Sequence, residues 1–67
     1  MTDTITYSVS GIHWAHCAMS IREEVAEVEG VEDVDVDLDA KVVTIRGRQL
    51  SDERLRAAIE QAGYQAA

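Results

Sequence analysis

The sequence predicts an α+β fold in which two helices cover one face of an antiparallel sheet. Segments with a hydrophobic period of two alternate along the chain with segments of helical period. Their order is strand, helix, strand, strand, helix and a short final strand (βαββαβ), which the split βαβ arrangement accommodates. Because 67 residues make only one small domain, we expect a single domain over residues 1–67.

The first strand is indicated by the alternation of Ile5, Tyr7 and Val9 with polar residues. Gly11 lies just beyond its end, and we expect Ile12 to point back into the core. From residue 17 the period becomes helical, and the apolar positions are Ala18, Ile21, Val25 and Val28. Gly30 fits the left-handed position just beyond the end of this helix.

The middle of the chain predicts a β-hairpin. The second strand has one apolar and one acidic face, formed by Val34, Val36 and Leu38 and by Asp33, Asp35, Asp37 and Asp39. Asp39 and Ala40 are predicted to form a tight turn. The third strand follows over residues 41–46, and Gly47 closes it.

The second helix is predicted from its capping signals. Ser51 is a good N-cap, acidic residues follow it, and Leu50 can pack against Leu55. Gly63 ends the helix, and Tyr64 begins the short last strand. The apolar stripe of this helix consists of Leu55, Ala58, Ile59 and Ala62.

The charge balance excludes two classes of target. The net charge is −7, with 13 acidic and 6 basic side chains, whereas nucleic acids and anionic membranes attract basic proteins. No apolar run approaches the roughly 20 residues that span a bilayer. The start of the chain lacks the pattern of a signal peptide, so we expect a cytoplasmic protein. The acidic runs are expected to be solvated or to attract a basic partner.

Residues 11–17 concentrate the residue types that bind soft metals. They include the only cysteine, Cys17, both histidines, His13 and His16, and the only tryptophan, Trp14. A thiolate is favoured at the start of a helix, and we expect Cys17 to be partly exposed there. Thiolate and imidazole together suit Cu(I), Zn(II) and similar soft or borderline ions. The single cysteine also excludes an internal disulfide.

Several segments resemble one family. Val9-Ser10-Gly11 lead into the ligand-rich segment, and His-Cys-Ala-Met-Ser-Ile at 16–21 opens the helix. Further matches are Gly30-Val31, Val43-Thr44-Ile45, Ala58-Ile59 and Ala62-Gly63-Tyr64. Over almost its whole length the chain resembles the heavy-metal-associated domains, which include small copper chaperones and the metal-binding modules of P-type metal pumps. The resemblance implies a ferredoxin-like fold.

The resemblance also locates the metal motif, Gly-Met-x-Cys-x-x-Cys. Gly11 and Cys17 match its first and last positions, and Ile12 replaces the methionine. Trp14 stands where the first cysteine belongs. Tyr64 matches the aromatic residue that lies close to the metal loop in bacterial members.

Cys17 is therefore the principal predicted ligand, with help from His16 or His13. The alternative for each histidine is a solvated side chain, and Met19 is expected to fill the core or lie on the helix surface. Trp14 can cover the loop, anchor a partner or lie over a bound cation. It cannot replace a thiolate, because the indole nitrogen is only a donor.

The leading functional hypothesis is binding and transfer of a soft metal, Cu(I) first and Zn(II) second. The partner implied by the resemblance is a metal-transporting P-type ATPase or its metal-binding domain. Two alternatives are an interaction module that has lost metal binding and a homodimer bridged through Cys17 by metal or disulfide. We do not expect an enzyme, because no set of nucleophile, base and orienting residue is present.

Overall fold

Two helices pack on one face of a three-stranded antiparallel sheet in the computed structural model, which describes residues 2–12 and 15–67. The elements are β1 (Asp3–Ser8), α1 (Ala15–Ala26), β2 (Val31–Asp37), β3 (Val42–Gly47) and α2 (Asp52–Gln61). The strand order is β1-β3-β2, so the α+β prediction is confirmed. Neither helix of the described chain is long and apolar enough to cross a membrane.

The register of the sheet explains the core. Tyr7 and Val36 both lie opposite Val43, and Ile5 and Val34 both lie opposite Ile45. Because side chains alternate along a strand, these two rows share the face that the helices cover. The fully buried side chains are those of Val9, Ile12, Ile21, Val25, Val43, Ile45, Leu55 and Ile59. The predicted inward position of Ile12 is therefore confirmed.

The predicted final strand does not form, although one backbone hydrogen bond joins its residues to β1. Residues 64–67, which we call the C-terminal segment, contain no strand. The amide of Ala67 donates to the carbonyl of Ser8 at 2.8 Å, on the outer edge of β1. Gln65, Ala66 and Ala67 have little preference for strands, and so short a segment does not build a ladder.

The ends of α2 follow the predicted capping rules. The Oγ of Ser51 accepts a hydrogen bond from the amide of Arg54 at 3.3 Å. At the other end Gly63 has a φ of 97°, and the amide of Tyr64 donates to the carbonyl of Ile59 at 3.1 Å. This is the Schellman arrangement, and it turns the chain back across the domain.

Gly30 is left-handed, as predicted, but it does not end the helix. Helix α1 stops at Ala26, and residues 27–30 form turns. Gly30 has a φ of 93°, and its carbonyl accepts from the amide of Arg48 at 2.9 Å. A Cβ on Gly47 would lie 2.1 Å from the same carbonyl oxygen. The conformation of Gly30 therefore allows the connection between α1 and β2 to lie close to the end of β3 and to Arg48.

The hairpin turn occupies residues 38–41, and β3 begins at Val42, one residue later than predicted. The Oδ1 of Asp37 accepts from the amides of Asp39 and Ala40 at 2.9 and 3.0 Å. Lys41 takes a φ of 58°, and its carbonyl accepts from the amide of Val9 at 2.9 Å. This hydrogen bond joins the hairpin turn to Val9, which lies between β1 and residues 11–17.

Candidate metal-binding site

Cys17 is the third residue of α1, and its side chain turns toward the core. Only 8% of the residue is exposed, which corrects the expectation of a partly exposed thiol. The reason is its place on the helix: Cys17 lies one turn before Ile21, which is fully buried, and so shares the inner face. A metal would therefore reach the sulfur from the end of the domain at which α1 begins.

Tyr64 lies beside Cys17 and Gly11. A Cβ built on Gly11 would be 3.5 Å from the Cδ1 of Tyr64, so the tyrosine ring lies against this glycine. The hydrogen bond to Cys17 raises the pKa of Tyr64, and burial and the negative charge of the thiolate raise it further. The Tyr64 hydroxyl thus donates to the sulfur, which confirms that this aromatic lies close to the predicted ligand.

Of the two predicted histidine ligands, the described part of the chain contains only His16. His16 is the second residue of α1 and is exposed, whereas its neighbour Cys17 is buried. His13 and Trp14 lie outside the described residues. Within residues 2–12 and 15–67, histidine, cysteine and acidic side chains form no group of three that could hold a metal. Ligation by His16 or His13 remains a prediction, as do the interpretations of Trp14.

Met19 lies on the outer side of α1. Its side chain is 59% exposed, while Cys17 and Ile21 face the core. Since residues two apart on a helix point to different sides, the thioether is directed away from the sulfur. Of the two positions expected for Met19, in the core or on the helix surface, the structure shows the second.

A second polar group was not anticipated from the sequence. The hydroxyl of Tyr7 donates to the Oδ1 of Asp52 at 2.6 Å, and the Nε of Arg56 donates to both carboxylate oxygens at 3.1 Å. The guanidinium carbon of Arg56 lies 5.2 Å from the centre of the Tyr7 ring. Of these contacts, the i,i+4 spacing of Asp52 and Arg56 alone could have been found in the sequence.

This group has perturbed protonation equilibria. Burial, the hydrogen bond to Asp52 and the charge of that carboxylate raise the pKa of Tyr7 to about 12, and Arg56 opposes them. The hydrogen bond from Tyr7 holds the pKa of Asp52 below its usual value, with Arg56 adding to the effect and burial opposing it. Both shifts favour a neutral phenol that donates to a charged carboxylate.

Arg56 also reaches the C-terminal segment. Its Nη1 donates to the carbonyl oxygen of Ala66 and its Nη2 to that of Ala67, both at 3.3 Å. The same segment begins with Tyr64, which contacts Cys17. The C-terminal segment therefore contacts the candidate metal site at its first residue and Arg56 at its last two residues.

Comparisons with known proteins show which family the chain resembles. The sequence profile of the heavy-metal-associated domain matches residues 6–65. The mercuric transport protein periplasmic component of Pseudomonas aeruginosa is 37% identical over 65 residues, which are 94% of this chain and 71% of that protein.

Two solved structures are similar over the whole fold. Oxidized MerP from Ralstonia metallidurans CH34 superposes with a TM-score of 0.90 at 29% identity, over 100% of this chain and 96% of the other. The N-terminal domain of a potential copper-translocating P-type ATPase from Bacillus subtilis, solved in the Cu(I)-loaded state, gives 0.88 at 26% identity, over 98% and 85%. These superpositions confirm the predicted ferredoxin-like fold.

Proposed function

Because the chain belongs to the heavy-metal-associated domain family, we propose that it binds a soft metal ion through the thiolate of Cys17 and passes it on by ligand exchange. The observation that carries this proposal is the place of Cys17 in the first turn of α1, with the hydroxyl of Tyr64 donating to its sulfur. The unpaired amides of a first helical turn favour a thiolate, and a thiolate is the ligand that soft metals prefer.

The ion we propose first is Cu(I), with Zn(II) as a borderline alternative. The relatives named for mercuric transport add Hg(II), which shares the preference of Cu(I) for sulfur. One thiolate leaves the coordination of any of these ions incomplete. We propose that His16 or His13 completes it, since imidazole is a common ligand for such metals.

The partner we propose is a metal-transporting P-type ATPase or its metal-binding domain. A similar fold is named as the N-terminal domain of such an ATPase in Bacillus subtilis. The net charge of −7 favours a partner with a basic surface around its own metal site. Transfer would proceed by the partner's thiolates replacing the ligands of this chain one at a time.

A metal titration of the reduced protein tests the proposal. We expect one Cu(I) or Hg(II) per chain, and a loss of affinity of at least about a hundredfold in Cys17→Ser, because losing a ligand costs several kcal/mol. Met19→Leu is the matched control, since it removes the exposed thioether from the same helix and should bind like the wild type. Equal and weak binding by the wild type and Cys17→Ser would contradict the proposal.

Variants of the histidines then separate the ligand sets. His16→Gln and His13→Gln are each expected to lower the affinity less than Cys17→Ser, because each removes a neutral ligand and leaves the charge. Zn(II) should be more sensitive than Cu(I) to these two changes, since it accepts nitrogen more readily. If neither variant alters binding, the missing ligand comes from outside the chain.

The second candidate is an interaction module without metal binding. The observation that favours it is Trp14 at the position where the family's first metal-binding cysteine belongs. Fluorescence of this single tryptophan separates the two functions. Under the first, the emission responds to stoichiometric metal; under the second, it responds to a partner domain and not to metal.

A homodimer bridged by two Cys17 residues is a further arrangement of the same site. The small exposure of the sulfur disfavours direct disulfide formation, because both chains would have to open around it. Size-exclusion chromatography with and without reductant and metal measures whether such a dimer forms.

The cytoplasmic location stays a prediction. The mercuric transport relatives are named periplasmic, and cell fractionation of the protein tests the location. We propose a binding module without catalytic activity.

A further inference from the structure

We propose that Arg56 is a positioning residue for the candidate metal site: it fixes the C-terminal segment and thereby holds Tyr64 on Cys17. The proposal arises from two groups of contacts that meet in this segment. One is the pair of hydrogen bonds from the guanidinium to Ala66 and Ala67, and the other is the packing of the Tyr64 ring against Gly11, where a Cβ would lie 3.5 Å from the Cδ1 of Tyr64.

Several contacts orient the side chain of Arg56 toward the C-terminal segment. Its Nε is directed at the carboxylate of Asp52, and its guanidinium lies over the ring of Tyr7, which is itself buried and bonded to Asp52. An arginine has a planar fork of donors, so fixing Nε also fixes the direction of Nη1 and Nη2. Those two nitrogens meet the carbonyl oxygens of Ala66 and Ala67.

The C-terminal segment needs such a restraint because it follows the glycine turn at the end of α2 and forms no strand. Gly63 has a φ of 97°, and the amides of Gly63 and Tyr64 donate to the carbonyls of Glu60 and Ile59 at 2.9 and 3.1 Å. These two hydrogen bonds fix the turn at the end of α2 but not the residues that follow Tyr64. The hydrogen bond from Tyr64 to Ile59 fixes where the segment begins, and the contacts of Ala66 and Ala67 fix where it goes.

Tyr64 lies between these two attachments. Rotation about its N–Cα bond moves both the backbone of residues 65–67 and the Cβ that carries its ring. With the far end fixed, the ring is confined to the position beside Gly11 and its hydroxyl to the sulfur of Cys17. Without Arg56, the far end retains the bond from Ala67 to Ser8, and we expect the ring to leave Cys17 in part of the molecules.

The consequence for metal exchange rests on the proposed function, but the positioning itself does not. A ring held beside Cys17 restricts the directions from which a metal or a partner's thiolate can approach the sulfur. All measurements of the positioning are therefore made on the reduced, metal-free protein. Failure of the positioning and failure of metal binding then give different results.

The direct test is the proton NMR contact between the Tyr64 ring and the α-protons of Gly11. We expect Arg56→Met to weaken this contact relative to the wild type while contacts inside the core, such as those of Ile45, stay unchanged. Arg54→Met is the matched control, because Arg54 lies on the same helix and its side chain forms an exposed ion pair with Glu29 at 3.7 Å, away from the C-terminal segment. An undiminished Tyr64–Gly11 contact in Arg56→Met would overturn the proposal.

A double-mutant cycle on the reactivity of Cys17 gives a second test. The alkylation rate by iodoacetamide in Tyr64→Ala defines the uncovered thiol. We expect Arg56→Met to shift the rate toward that value by about fivefold, the effect of one net hydrogen bond. Adding Arg56→Met to Tyr64→Ala should change nothing more, since Arg56 acts through Tyr64.

A purely structural role gives a different pattern. Arg56→Met would then lower the unfolding midpoint and change the alkylation rate equally in the presence and absence of Tyr64. Such additivity would overturn the proposal. Arg56→Lys supplies a further comparison, because it keeps the charge but has one nitrogen in place of the fork; we expect it to behave like Arg56→Met and not like the wild type.

Discussion

The hydroxyl of Tyr64 donates a hydrogen bond to the sulfur of Cys17, although the two residues lie 47 positions apart in the sequence. Cys17 is mostly buried by the core, so this bond, and not solvent, is a principal polar contact of the candidate ligand. The bond favours the thiolate, because a donor stabilises the charged acceptor. It also gives the candidate site an optical signal, since tyrosine ionisation is measured directly by ultraviolet absorbance.

Replacement of Cys17 is expected to lower the pKa of Tyr64. The hydrogen bond to Cys17 is the first cause of the raised value, and the negative charge of the thiolate contributes in the same direction. In Cys17→Ala both causes disappear, so Tyr64 should ionise nearer to the ordinary value of about 10. Titration of the tyrosine absorbance measures this. Tyr7, with a pKa of about 12, titrates separately and serves as the internal reference.

Tyr7 is expected to make the fold sensitive to alkali. Its pKa is raised to about 12 in the folded chain, so folding favours the neutral phenol. This contribution to stability is complete below the unfolded value of about 10 and is lost as the pH rises through the folded value. Tyr7→Phe should lower the stability at pH 7 by about 1–2 kcal/mol and remove much of the decline between these two values. Urea unfolding at several pH values measures both effects.

A variant of Asp52, the hydrogen-bond partner of Tyr7, is the control for the effect of Tyr7 on stability. Asp52→Asn keeps a hydrogen-bond acceptor but removes the charge, so the pKa of Tyr7 should fall while the hydrogen bond persists. If Tyr7→Phe retained the same loss of stability above pH 10 as the wild type, another group would have to cause it.

The parts of the fold that the sequence predicted depend on neighbours along the chain. Ser51 and Gly63 cap α2 as expected, because a hydroxyl before a helix and a glycine after it act on amides and carbonyls within a few residues. The alternation that places Tyr7 and Ile45 on the covered face of the sheet is equally local.

The parts that the sequence did not predict depend on distant contacts. Tyr7 was identified as a core residue, but its hydrogen bond to Asp52 joins positions 45 apart in the chain. The burial of Cys17 depends on how α1 packs, and the position of the C-terminal segment depends on its contacts with Arg56 and Ser8. The left-handed conformation of Gly30 was predicted, but its hydrogen bond with Arg48 was not, because Arg48 lies in the connection between β3 and α2.

Gly47 is expected to tolerate no side chain. A Cβ there would lie 2.1 Å from the carbonyl oxygen of Gly30 and 2.9 Å from the Cδ2 of Leu50. Since backbone must move to relieve the first contact, Gly47→Ala should destabilise the fold by about 3 kcal/mol or more. Thermal unfolding measures the change.

Gly63→Ala is the matched control for that prediction. Gly63 has a positive φ but open space around it, so alanine there costs only the left-handed conformation, about 1 kcal/mol. Equal destabilisation by the two alanines would show that overlap with Gly30 is not what constrains Gly47.

Metal is expected to stabilise the fold through Cys17. A ligand that binds the native state adds about 2.7 kcal/mol at a free concentration about a hundred times its dissociation constant. For so small a domain this raises the unfolding midpoint by about 10 °C or more. We expect this rise with one equivalent of Cu(I) or Hg(II) under reducing conditions, and its reversal by a competing chelator. Differential scanning fluorimetry or calorimetry measures the midpoint.

The variants distinguish a site from nonspecific thiol binding. Cys17→Ser retains a hydroxyl that can still accept from Tyr64, so the metal-free fold should be nearly unchanged while the rise with metal disappears. His16→Gln should reduce the rise if this exposed imidazole turns toward the metal. Binding to the thiol of the unfolded chain predicts the opposite, a midpoint that falls as metal is added, because such binding favours unfolding. The sign of the shift therefore decides whether Cys17 belongs to a site that the fold has formed.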